Sequence, residues 1–68
     1  MSDANWQALY TAALSESDPR KLNIKIEVAR RAIHRRLDEI RDTDSREAQQ
    51  LDRALHALFT LEARRRSA

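Results

Sequence analysis

The chain has no cysteine, no glycine and a single proline among its 68 residues, and its aromatic content is limited to Trp6, Tyr10 and Phe59. Each absence removes a class of structure. Without cysteine there are no disulfide staples, no zinc thiolate sites and no thiol nucleophile. Without glycine, and with proline only at position 19, few residues are left for tight β-turns or left-handed caps, which argues against a sheet built from hairpins. No apolar run approaches the roughly 20 residues that span a bilayer, and the opening MSDANWQALY has neither the basic flank nor the apolar run of a signal peptide. A soluble, cytoplasmic protein without membrane contact is therefore expected.

What is abundant is Ala, Arg and Leu, joined by Glu, all good helix formers, and they fall in helical patterns. From Pro19 to Arg41, Leu22, Ile26, Ala29, Ile33, Leu37 and Ile40 recur at steps of four, three, four, four and three, which keeps them on one stripe of a 3.6-residue helix. Ile24, Val28 and Ala32 form a second ridge on another face of the same segment. Before it, Trp6, Leu9, Tyr10, Ala13 and Leu14 mark an apolar face on a shorter helix that Ser2 or Asp3 can cap. After it, Ala48, Leu51, Ala54, Leu55, Leu58, Phe59 and Leu61 make a face wider than one neighbouring helix needs. Asp18-Pro19 starts the long helix, and Asp44 with Glu47 three positions on resembles a capping box for the last one.

The expected fold is all-α and a single domain over residues 1–68, with helices at about 3–15, 19–41 and 45–65. The polar break at 42–45 is short, so the second and third helices should form an antiparallel hairpin. The first helix, roughly 18 Å long against about 35 Å for the second, should cover only the half of that hairpin nearest Pro19. Ile33, Leu37, Ile40, Leu51 and Leu55 would then be buried on one side only. An open apolar strip of this kind marks an association surface, and a domain this small needs further burial. The expectation is a homodimer with a four-helix core and those five residues at its interface.

Sites for chemistry are sparse. His34 and His56 do not converge with other ligands, so no metal is expected. Ser15, Ser17, Thr43 and Ser45 sit at helix ends, where capping explains them, no Asp or Glu falls within an apolar stripe, and no Gly-rich loop exists to cradle phosphate. No catalytic residue and no cofactor is assigned, and an enzyme is not expected.

The remaining feature is basic: Arg30, Arg31, Arg35 and Arg36 in the long helix, and Arg64, Arg65 and Arg66 near the end. These could track nucleic-acid phosphates as a weak regulator of nucleic acid. Charge by segment argues the other way. Residues 19–41 hold eight bases against three acids, but residues 1–18 hold three acids and no base, 42–63 five acids and two bases, and the whole chain is only +2. Glu27 stands at helical spacing from Arg30 and Arg31, Glu39 from Arg35, and Glu62 from Arg65 and Arg66, as in a compensated surface. The favoured function is a non-catalytic helical module for protein interaction or regulation, acting as a homo-oligomer or on a further protein partner that the sequence does not identify.

Trp6-Gln-Ala-Leu9-Tyr10, Glu16-x-Asp18 and Ala29-x-x-Ala32-Ile33-x-x-Arg36 together resemble a group of small uncharacterised bacterial helical proteins with W-x-x-L-Y near the start and A-x-x-A-I-x-x-R in a long second helix. The resemblance spans most of the chain. It implies a compact helical fold and carries no activity or site residue with it.

Overall fold

The computed structural model describes residues 5–40 and 43–67, with side chains as far as Arg64. It holds three helices: α1 (Trp6–Ser15), α2 (Pro19–Ile40) and α3 (Ser45–Ser67). α1 and α3 both pack chiefly on α2, which forms the shared wall of the bundle. The result is a flattened body of 39 × 24 × 14 Å.

The helix ends follow the local chemistry. Asp18 Oδ1 accepts from the amide of Arg20 at 2.9 Å while its carbonyl takes the amide of Leu22 at 2.8 Å, and Pro19 fills the first helical position, where no amide is needed. Asp44 Oδ1 likewise accepts from the amide of Glu47 at 3.0 Å. α1 starts differently: its cap is Asn5, whose carbonyl accepts from Ala8 and Leu9 and whose side chain makes no capping bond. The proposed caps Ser2 and Asp3, and the end of the second helix at Arg41, lie outside the described residues. α3 continues to Ser67, beyond the expected end near 65, because nothing in its last turns breaks the helix.

The core is built from the expected stripes. Leu22, Ile26, Ala29, Ile33 and Ile40 of α2 meet Leu51, Ala54 and Leu58 of α3, with Trp6 and Ala13 of α1 closing the third side. Ile33, Leu51 and Leu58 are its largest fully buried side chains. Trp6 and Tyr10 pack as core anchors with ring centroids 6.4 Å apart, tilted by 50°.

One expectation about this core needs correction. Ile33, Ile40 and Leu51 were expected to be covered on one side only, yet within a single chain they are 0%, 5% and 0% exposed. The reason is the reach of α1. Although the helix has only ten residues, the indole of Trp6 extends from its first turn to the first turn of α3, where Nε1 donates to Glu47 Oε2 at 3.2 Å. α1 therefore shields the loop-proximal half of the hairpin as well as the half near Pro19.

Candidate interaction face

With α1 occupying one side of the hairpin, the opposite side of the α2–α3 seam is the part left open. On α2, Arg30, His34 and Leu37 share this side at steps of four and three; on α3, Leu55, Phe59 and Glu62 do the same. Ile26, Arg30, His34, Leu55, Leu58, Phe59 and Glu62 line a groove of about 190 Å³ along it. Its floor is aliphatic. Its rim carries Phe59, whose side chain is in the open with 69% of the residue exposed.

Of the five residues expected at an interface, this face holds two. Leu37 and Leu55 are half-buried and border the core, while Ile33, Ile40 and Leu51 belong to the core itself. Phe59, which the sequence already places on the broad apolar face of the third helix, is the most exposed large apolar side chain among the described residues. That face is too wide for one neighbour, and Phe59 sits at its margin. Ile24, Val28 and Leu14 are the other exposed large apolar residues, at 65%, 43% and 49%.

The arginines divide into committed and uncommitted. Glu27 binds Arg30 through Oε1 and Arg31 through Oε2, the latter at 3.2 Å. Arg36 grips Glu47 with two parallel bonds, Nε to Oε2 at 2.8 Å and Nη2 to Oε1 at 3.0 Å, and reaches Glu39 Oε1 with Nη1 at 3.2 Å. Glu39 was expected to pair with Arg35. Arg36 takes it instead, because Arg36 lies beside the core stripe, between Glu39 on its own helix and Glu47 on the next. Arg30 also approaches Glu62 at 4.0 Å across the seam. Arg35 and Arg64 have no carboxylate partner among the described residues, and the side chains of Arg65 and Arg66 lie outside them.

These pairs shape the local electrostatics. The Arg36 guanidinium, followed by the Trp6 indole, holds the Glu47 carboxyl below its ordinary value against the opposing effect of partial burial. Glu47 and Glu39 raise Arg36 in turn. At the α1–α2 link, Lys25 Nζ lies 2.7 Å from Glu16 Oε1 and the Asp18 amide donates to Glu16 Oε2 at 3.1 Å, which lowers the Glu16 carboxyl.

Hydroxyl groups are spent on backbone: Ser15 on the Thr11 carbonyl, Thr43 on Ile40 and Thr60 on His56. Among the described residues no polar or charged residue is buried. No group of three His, Cys, Asp or Glu there could hold a metal ion, and no helix is long and apolar enough to cross a membrane. A second, more open groove of about 400 Å³ lies between α1 and α3, with Trp6, Tyr10 and Ala54 as its floor and Gln7, Thr11, Gln50 and Arg53 at its edges.

Searches against protein-family models, curated proteins and solved structures gave no match.

Proposed function

We propose that this chain is a small, non-catalytic helical module for protein interaction or regulation, working in the cytoplasm as a homo-oligomer through the open side of the α2–α3 seam. The observation that supports it is Phe59: a large aromatic side chain 69% exposed at the rim of an aliphatic groove that half-buried Leu55 also lines. Exposed aromatics in contiguous apolar surroundings are the residues that carry binding energy when a partner desolvates them. The main basic cluster supports the same reading, since Arg30, Arg31 and Arg36 are engaged by carboxylates of the chain itself.

The test is light scattering of the wild type beside Phe59→Ser. The wild type is expected to self-associate in the micromolar range, of the order of about 8 kcal/mol of binding free energy. Phe59→Ser should remain helical and shift to the single-chain mass. Equal self-association of the two proteins would remove this face from the assembly.

A further inference from the structure

α1 is held to the rest of the chain differently from the way α2 and α3 hold each other. Of the ten buried residues of the core, α1 supplies Trp6 and Ala13, and the other eight lie on the hairpin. α1 packs on α2 and scarcely touches α3, from which the groove of about 400 Å³ separates it. Its polar ties sit at its two ends: Trp6 Nε1 on Glu47 Oε2 at 3.2 Å and, just past its last turn, Glu16 Oε1 on Lys25 Nζ at 2.7 Å. No polar or charged residue among those described is buried, and pairs open to water hold weakly.

The hairpin keeps its own supports without α1. Asp18 and Asp44 cap its helices, Arg36 with Glu47 and Arg30 with Glu62 join α2 to α3, and Ile26 and Leu58 border the seam on the side away from α1. α1, by contrast, has ten residues, fewer than the roughly 12–15 that an isolated helix needs to persist in water. Once lifted from α2 it melts, and the chain entropy it regains lowers the free energy of opening.

We infer that α1 is a strap: it opens as one unit about the link at 16–18 while α2 and α3 stay packed, and it conceals an apolar side of the hairpin that becomes accessible only in the open form. Trp6 and Ala13 are 5% and 0% exposed in the closed form, so their contacts with the hairpin are what the opening uncovers. That concealed side lies opposite the groove beside Phe59, so the strap operates whether or not the chain associates through the open seam.

Native-state hydrogen exchange read by NMR at increasing urea tests the strap. The amides from Tyr10 to Ser15 should share one opening with a shallow urea dependence, at least about tenfold more populated than the opening that frees the amides of Leu51 and Leu58. The latter should depend steeply on urea, because it exposes the whole chain. Leu55→Ala, on the hairpin away from α1, separates the two events. It weakens the closed and strap-open forms alike, so it should speed exchange at Leu51 and Leu58 several-fold and leave the α1 amides unchanged. Trp6→Phe removes the indole donor and should speed both sets, since α1 is undocked in both openings. Should Leu55→Ala lose its helical dichroism, the urea slopes of the wild type decide alone. A common rate and slope for α1 and the hairpin would overturn the strap, as would equal acceleration of both by Leu55→Ala. Exchange graded along α1 and fastest near Trp6 would also overturn it, by showing fraying from one end.

Discussion

The indole of Trp6 and the carboxylate of Glu47 meet across 41 positions of sequence, with Nε1 donating to Oε2 at 3.2 Å. Arg36 holds the same carboxylate with two further bonds, so one acidic side chain ties α1, α2 and α3 together at the loop end of the hairpin. A bidentate arginine pair reinforced by a third donor is stronger than a surface ion pair whose partners lie on one helix. Glu47→Ala is therefore expected to lower the thermal midpoint by more than Glu27→Ala, whose carboxylate serves only Arg30 and Arg31 of its own helix. Paired melts at one concentration decide it, and equal midpoints would contradict the tie.

Acid should loosen the same tie. Glu47 and Glu16 are both held below the ordinary value of 4.5 in the folded chain. In the acid range the unfolded chain then takes up protons first, so the stability these groups contribute is complete above 4.5 and is lost as pH falls through their folded values. Thermal midpoints followed from about pH 6 to about pH 2 should fall in this window, and the fall should be shallower in Glu47→Gln. A wild type and variant with parallel pH profiles would show that Glu47 is not among the titrating groups that matter.

Most of the fold was legible in the sequence because it rests on periodicity. The stripe from Leu22 to Ile40 and its counterpart from Ala48 to Leu61 record which sides of α2 and α3 face each other, and a short link leaves the antiparallel hairpin as their arrangement. What was not legible is the placement of α1. Glu47 looked like the second half of a capping box, and its amide does bond Asp44 Oδ1, but its side chain turns away to Arg36 and Trp6. Local spacing describes a capping role; it carries no information about a contact that depends on where a separate helix comes to rest. Ile33, Ile40 and Leu51 are likewise buried within the single chain, a degree of cover that helix length alone did not anticipate.

Core and face should respond differently to substitution. Leu51→Ala removes a fully buried side chain and should cost about 2–5 kcal/mol, a large part of the roughly 3–10 kcal/mol available to a chain of this length. Leu55→Ala, half-buried, should cost less in folding and more in association. Urea titrations at low protein concentration separate the two effects. A Leu55→Ala loss equal to that of Leu51→Ala would place Leu55 in the core.

Binding to random-sequence DNA should stay in the ordinary non-specific range of about 10⁻⁴ to 10⁻⁶ M at physiological salt and weaken steeply as salt rises. Arg35 and Arg64 are uncommitted among the described residues, but Arg30, Arg31 and Arg36 must first release their carboxylates. Sub-micromolar, sequence-dependent binding in a fluorescence anisotropy titration would favour a nucleic-acid regulator instead.

Sedimentation equilibrium of the unmodified chain tests the self-association reading most directly. Across about 1 to 100 μM, a range that brackets micromolar association, the average mass should climb from the single-chain 7.9 kDa toward twice that value. A mass that stays at 7.9 kDa through the whole range would contradict it.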